Sequence, residues 1–109
     1  MSTANETYSA MIRNIGAGNV MSICGGKMHA EVDGSNVSVV MICGQGYRVR
    51  VRYNAGRDTY SVSREYQRGL NYWIKGERHD VYNTEVGEVA YRAGMFRDEW
   101  TTDGARKVV

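Results

Sequence analysis

The 109-residue chain contains no proline, only two cysteines and one phenylalanine, and lacks an apolar run long enough to span a membrane. Without proline there is no proline-rich linker to divide it, and two cysteines are too few for the disulfide scaffold of a small secreted domain. The segment from Met1 to Glu6 has no basic stretch followed by an apolar one, so no signal peptide is expected. The simplest expectation is one soluble domain in the cytoplasm.

Side chains that carry chemistry are also scarce. His29, His79, Cys24 and Cys43 are the only histidines and cysteines, and none follows the spacing of a zinc site. Cys24 precedes two glycines but lacks the strand-to-helix context of a catalytic nucleophile, and the glycine pairs elsewhere do not open a helix as phosphate loops do. The sequence therefore predicts no catalytic residue, no metal site and no cofactor.

The net charge is only +2, but the charges are segregated. From Tyr47 to Arg78 eight basic residues face three acidic ones, a balance of +5, whereas residues 79–103 hold six acids and two arginines, a balance of −4. Eight of the eleven aromatic residues are tyrosines, whose hydroxyls require water or a partner when buried. This composition is more typical of a binding surface than of a nucleic-acid domain with a strong positive charge.

Regular alternation of apolar and polar residues between Met28 and Val62 predicts antiparallel strands. Turns are expected at Asp33-Gly34, at residues 44–46 and at residues 54–57. These turns predict the opposed pairs Ala30–Val37, Met28–Val39, Met41–Val49, Val39–Val51, Val51–Tyr60 and Val49–Val62. Arg50 is then expected opposite Ser61, and Arg48 opposite Ser63. All apolar members of these pairs share one face.

The flanking segments predict helices. Thr3 and Glu6 match a capping box, and apolar residues follow at helical spacing up to Ile15. A second helix is expected after Asp80 or Asn83, with a C-terminal glycine at position 94 and an apolar stripe of Tyr82, Val86, Val89, Ala90 and Ala93. Val20–Cys24 is interpreted as a first strand, and Leu70–Lys75 as a fifth or sixth.

The predicted fold is therefore α+β: an antiparallel β-meander of four to six strands with one helix at each end packed on one face. Residues 1–96 are expected to form one domain. Residues 97–109 are polar and lack periodicity, so a poorly ordered tail is predicted there, anchored by Trp100.

A row of arginines at period two is the feature that most suggests a ligand. Their spacing of about 7 Å along one face resembles that of phosphates in a single nucleic-acid strand, and nearby rings offer stacking surfaces. A solvated outer face, a protein contact and nucleic-acid binding all remain open. The predicted partner-binding residues are Arg48, Arg50, Arg52, Arg57, Arg68, Tyr72 and Trp73.

Val40 and Ile42 interrupt the polar face beside Ser38. Either the predicted strand Val20–Cys24 or a helix covers them, which is the favoured interpretation, or they belong to a homodimer or partner patch.

The order of motifs resembles a group of small uncharacterised phage and prophage proteins over roughly residues 8–94. The motifs are Ile15-Gly16, Asn19-Val-Met21, Gly26-Lys27-Met28, Val49–Asn54, Asp58–Val62 and Asp80-Val-Tyr82. The chain departs from the group at Cys24-Gly-Gly26 and in its longer acidic tail. The resemblance implies a non-catalytic accessory protein that binds a host macromolecule, with host-defence inhibitors of the anti-CRISPR kind as one such class. It assigns no functional residue.

Overall fold

The computed structural model describes residues 4–34, 36–96, 100 and 105–108. Over these residues the chain forms three α-helices and six strands. The helices are α1 (Ala4–Ile15), α2 (Ala17–Cys24) and α3 (Val86–Met95). The strands are β1 (Met28–Asp33), β2 (Asn36–Gly44), β3 (Tyr47–Asn54), β4 (Thr59–Arg68), β5 (Asn71–Val81) and β6 (Arg106–Lys107). No helix in these ranges is long and apolar enough to cross a membrane.

All six strands belong to one antiparallel sheet, and their spatial order follows the order of the sequence from β1 to β6. The predicted α+β class and antiparallel meander are thus confirmed. The predicted arrangement of one helix at each end is not confirmed, because two helices precede the sheet and α3 lies between β5 and β6. We call the sheet side against which the helices pack the helix face, and the other side the open face.

Helix α1 follows the predicted apolar spacing, and it buries Met11 and Ile15 against the sheet. Of the predicted capping pair, Thr3 lies outside the described residues.

Helix α2 corrects the prediction that Val20–Cys24 forms a strand. Val20, Ile23 and Cys24 are buried at the i, i+3, i+4 spacing of a helix. An apolar run of five residues fits a buried helix as well as a buried strand, so the run alone could not separate the two. Gly16, with φ of 96°, allows the chain to turn between α1 and α2.

Helix α3 buries Val86, Ala90 and Ala93 as predicted, but its ends differ from the prediction. Asp80 belongs to β5, and the helix begins at Val86. Gly94 lies inside the helix, where a Cβ atom would approach both Cγ atoms of Ile23 at 3.2 Å. The glycine therefore serves close packing of α3 against α2 and is not a terminal cap.

Each residue of the strands lies on its predicted face, but the β1–β2 and β3–β4 pairings are shifted by two residues from the predicted pairings. Met41 pairs with Val49 as expected. Between β1 and β2, however, Ala30 pairs with Val39, since the strands continue to Asp33 and Asn36. Between β3 and β4 the observed pairs include Val51–Val62, Tyr53–Tyr60, Arg52–Ser61, Arg50–Ser63 and Arg48–Glu65. A shift of two residues preserves the side on which each chain position lies.

The core lies between the three helices and the centre of the helix face. Val39, Val49, Val51 and Val62 there are fully buried. Trp100 is also buried, at 1% exposure. Its backbone lies over Gly76, where a Cβ atom would come within 1.9 Å of the Trp100 carbonyl oxygen. Gly76 is therefore required for the close approach of the two segments.

The described part of the predicted tail consists of Trp100 and residues 105–108. Arg106 and Lys107 form β6, which pairs with Ile74 and Trp73 of β5. Residues 97–99, 101–104 and 109 lie outside the described residues, so the expectation of a poorly ordered tail stays a prediction for them.

Candidate functional site

The predicted arginine row lies on the open face of β3, as expected, but acidic side chains pair with it. Arg50 donates from Nε to Glu65 Oε2 at 2.9 Å and from Nη1 to Glu31 Oε1 at 2.6 Å. One guanidinium thus joins β1, β3 and β4 by charge-assisted bonds. Arg50 also lowers the pKa of Glu31 below its ordinary value, as does the hydrogen bond that joins Glu31 to His29.

Glu65 is the centre of this network, and it is only 2% exposed. Besides the bond from Arg50, its Oε2 atom accepts a hydrogen bond from Ser63 Oγ at 2.9 Å. Arg48 Nε lies 3.8 Å from its Oε1 atom. A buried carboxylate needs such compensation, because an unpaired charge in this position would cost several kcal/mol.

The two outer arginines of the row also have neighbours. Arg48 contacts Gln67 by a side-chain hydrogen bond, and its guanidinium carbon lies 5.4 Å from the centre of the Tyr72 ring. Burial and the neighbouring Glu65 carboxylate raise the pKa of Tyr72 to about 12. Arg52 is exposed, and its Nη2 atom donates to the side-chain oxygen of Asn36 at 2.8 Å. The row is therefore part of a mixed-charge network and not an open line of cations.

Val40 is fully buried on this same face, although it lies outside the hydrophobic core cluster. Its cross-strand neighbours are His29 and Arg50. Directly opposed side chains on one face contact each other, so the polar network itself covers Val40. Neither the segment Val20–Cys24 nor another helix does so, because the helices pack on the other face.

The structure separates the remaining predicted contact residues. Arg57 lies in the β3–β4 turn at the far end of the sheet, where it pairs with Asp80 at 3.1 Å. Tyr72 joins Arg48 and Arg50 on the open face, whereas Trp73 lies on the helix face. Arg68 is exposed at the end of β4. The seven residues thus do not form one continuous surface.

Three rings form a row across β3, β4 and β5 on the helix face, beyond the cover of the helices. The ring centres of Tyr47 and Tyr66 are 4.6 Å apart, and those of Tyr66 and Trp73 are 5.4 Å apart. All three rings are half-buried. We call this row, with the adjacent β4–β5 turn at Gly69-Leu70, the aromatic end.

Cations lie over the rings of the aromatic end. Arg64 is 4.4 Å from the centre of the Tyr47 ring and donates to the Ala93 carbonyl, which fixes it beneath α3. Lys75 lies 5.6 Å from the Tyr66 ring and 5.7 Å from the Trp73 ring, and Lys107 lies 5.7 Å from Trp73. These cation–π contacts hold positive charge at the sheet surface.

Leu70 projects from the turn of the aromatic end and is 91% exposed, the highest value among the large apolar side chains described. Trp73 was among the predicted contact residues, but the row of three rings was not predicted. The sequence feature that could have indicated this row is the alternation of apolar and polar residues. Once the β4–β5 pairing is known, it places Tyr47, Tyr66 and Trp73 on the same face as the core valines.

A groove of about 800 Å³ runs at the opposite end of the sheet, between α1 and the turns that follow β1 and β3. It is lined in part by Asn14, Tyr53 and Tyr60. Asn14 Nδ2 donates to the Tyr60 hydroxyl at 2.8 Å. The Tyr53 hydroxyl donates to Asp58 at 2.6 Å, and this bond raises the pKa of Tyr53 to about 12.

A serine, a histidine and a carboxylate lie in line on the open face near this end. Ser61 Oγ is 3.0 Å from His79 Nδ1, and His79 Nε2 is 3.5 Å from Glu77 Oε1. Acyl-transfer chemistry would also need hydrogen-bond donors aimed at an oxyanion. The register between β4 and β5 is irregular at Ser61, and Asn54 Nδ2 donates to Ser61 Oγ at 3.0 Å. These side chains form a line of polar contacts on the open face.

The remaining candidates for chemistry are dispersed. Cys24 is buried in α2, and its thiol donates to the Val20 carbonyl at 3.2 Å. In the part of the chain that the structure describes, no three residues among His, Cys, Asp and Glu are grouped so that they could hold a metal ion. Comparison of the chain with family models, curated proteins and solved structures gave no match.

Proposed function

We propose that the chain is a small non-catalytic binding protein that covers a surface of a protein partner, and that the aromatic end is its principal contact. The proposal keeps Trp73 and Arg68 from the sequence prediction, whereas Tyr72 lies on the open face. The proposal replaces the centre of the arginine row with the rings of Tyr47 and Tyr66.

The observation that carries this proposal is Leu70, which is 91% exposed beside a half-buried row of rings. Tyrosine, tryptophan and arginine dominate the energetics of protein interfaces, where they act as anchors. Tyr66 and Trp73 supply such anchors, and the exposed Leu70 in the turn between their strands adds apolar surface.

Charge at the aromatic end indicates the chemistry of the partner. Lys75 and Lys107 lie over its rings, Arg68 flanks its turn, and the nearest acid of the network, Glu65, is buried and paired. An apolar patch bordered by carboxylates is the complementary surface.

Nucleic-acid binding through the arginine row is the alternative, and the geometry favours it less. Arg50 is already paired with Glu31 and Glu65, so a phosphate would have to displace those carboxylates. The ring faces at the aromatic end are shared with the protein's own cations, which compete with stacking bases.

The resemblance to phage proteins would place the partner in a bacterial host. Inhibition of a host-defence complex by occlusion is one form of such binding, and it requires no catalytic group.

The test is affinity capture from bacterial lysate with the wild-type chain and with the variants Leu70→Asp and Trp73→Ala, each with and without nuclease. A specific protein is expected to bind the wild type regardless of nuclease. Its affinity should fall roughly thirtyfold or more with Trp73→Ala, the typical loss at an interface hot spot.

Met21→Asp is the matched control, because Met21 is 62% exposed on α2 and the substitution makes the same chemical change as Leu70→Asp. It should leave capture unchanged. Equal loss with both aspartate variants would reject the aromatic end as the contact. Capture abolished by nuclease, with an affinity that declines steeply with salt, would favour the nucleic-acid alternative.

A further inference from the structure

Strand β1 is one edge of the sheet, and no other strand in the described part of the chain pairs with its outer side. It runs from Met28 to Asp33, contains no proline, and pairs with β2 without a bulge. Helix cover does not extend over it, since Ala30 is exposed and Val32 is 58% exposed. The opposite edge, β6, is only two residues long.

The hydrogen-bond phase of β1 determines which backbone groups point outward. Ile42 N donates to the Lys27 carbonyl at 2.8 Å, so Lys27 faces β2. Orientation alternates along an antiparallel strand, and the register to β2 is unbroken. The N–H and C=O groups of Met28, Ala30 and Val32 therefore point away from the sheet.

We propose that two copies of this chain associate through β1, with antiparallel pairing about a two-fold axis at Ala30. Each Ala30 then lies opposite its counterpart, and Met28 lies opposite Val32 of the second copy. The outward groups of these residues form about six backbone hydrogen bonds, and the two sheets become one continuous sheet.

Charge complementarity selects this register. With the axis at Ala30, His29 lies opposite Glu31 of the second copy, and Lys27 lies opposite Asp33. Each of these pairs occurs twice because the interface is isologous. Lys27 and Asp33 carry opposite charges, which are stabilising directly across a strand pair, whereas like charges are destabilising.

Two neighbouring registers also pair the outward-pointing residues, but their side-chain pairs and backbone hydrogen bonds are less favourable. An axis at His29 opposes the two His29 side chains and brings Gly26 opposite Val32. An axis at Glu31 opposes two carboxylates and brings Gly34 opposite Met28. Gly26 and Gly34 have φ values of 90° and 61°, outside the extended region, so each alternative also loses backbone hydrogen bonds.

The pairing also covers the apolar side of the strand. Met28, Ala30 and Val32 share the helix face, where Met28 would contact Val32 of the second copy and the two Ala30 residues would contact each other. Glu31 keeps its bond to Arg50, since that bond lies within one copy.

The first test is sedimentation equilibrium of the full chain against Ala30→Pro. Proline removes an N–H group that the single chain does not use, and it is tolerated at the outer side of an edge strand. The wild type should be a dimer at high protein concentration, and Ala30→Pro a monomer with an unchanged far-ultraviolet spectrum. A monomeric wild type, or a dimer unaffected by proline, would overturn the proposal.

A charge-reversal cycle tests the register. Lys27→Asp and Asp33→Lys should each weaken dimerisation about tenfold, because each creates two like-charge pairs. The double variant, and an equimolar mixture of the two single variants, should restore it. The two positions lie at opposite ends of one strand, so rescue requires the second copy. Failure of rescue would exclude the axis at Ala30.

Crosslinking gives a geometric check. Opposed Ala30→Cys residues would have Cα atoms about 5.5 Å apart, within the range of a disulfide. Val32→Cys is the matched control, because its counterparts would be separated by roughly 13 Å. Under mild oxidation by oxidised glutathione, only Ala30→Cys should give a covalent dimer. Equal crosslinking of both variants would contradict the proposed pairing.

Discussion

The two faces of the same sheet bury their side chains by different physical means. On the helix face, valines such as Val39 and Val51 are buried beneath the helices. On the open face, Val40 and Glu65 are buried just as deeply without a covering helix, by arginine, serine and neighbouring strands. A face that the alternation predicts to be polar can therefore contain side chains that are buried from solvent.

The difference matters because apolar packing is non-directional, whereas a buried ion pair depends on its geometry. Loss of a methyl group on the helix face leaves a cavity. Loss of Arg50 on the open face would leave a buried charge.

The largest effect is expected from Trp100→Ala, which removes a fully buried ring from the helix face. We expect the free energy of unfolding to fall by about 4 kcal/mol, typical of a tryptophan truncation in a core. Trp73→Ala, at a half-buried ring, should cost less than half as much. Urea unfolding followed by circular dichroism measures both, and equal losses would show that Trp100 is not part of the core.

The next effect concerns the ion pairs of the open face. Arg50→Met should lower the free energy of unfolding by about 3 kcal/mol, because Glu65 loses its principal partner. The double variant Arg50→Met/Glu65→Leu should recover to within about 1 kcal/mol of the wild type, since no buried charge remains. Urea unfolding of the wild type, both single variants and the double variant gives the coupling energy between the two sites.

Arg52→Met is the matched control for this cycle, as it changes an exposed arginine on the same strand and face. It should cost under about 1 kcal/mol. A cost as large as that of Arg50→Met would show that the row acts by its total charge and not by its contact with Glu65.

The smallest effect concerns one tyrosine on each face. Tyr53 and Tyr72 both have a pKa of about 12 in place of the ordinary 10.0, Tyr53 through its bond to Asp58 and Tyr72 through burial and Glu65. Because the folded state resists their ionisation, its stability should decline as the pH rises from about 10 to about 12. Ultraviolet titration should show both phenols ionising late, and Asp58→Asn should lower the pKa of Tyr53 and leave that of Tyr72 unchanged.

The sequence was sufficient to predict the faces, the antiparallel meander and the long middle strands, because period-two alternation is strong between Met28 and Val62. It was not sufficient to predict how residues pair. The partner of Arg50 lies fifteen residues away on another strand, and its register depended on turn lengths that were wrong by two positions. The arginine row was thus located correctly but interpreted as more open than it is.

Helix α2 and the aromatic end show the other limit. A short apolar run such as Val20–Cys24 gives no decisive period, and close packing of Gly94 on Ile23 favours a helix there only in the folded chain. The row of Tyr47, Tyr66 and Trp73 arises from the pairing of three strands, which no local pattern contains.

The sequential strand order has a consequence for how the chain folds. The strands β1 to β5 pair with one another in the order of the sequence, so each ladder among them closes only a short loop. Folding can therefore proceed by successive addition of hairpins, faster than in sandwiches of similar size whose pairings span distant segments. Trp100 and β6, which pack on β5 from beyond α3, should join late.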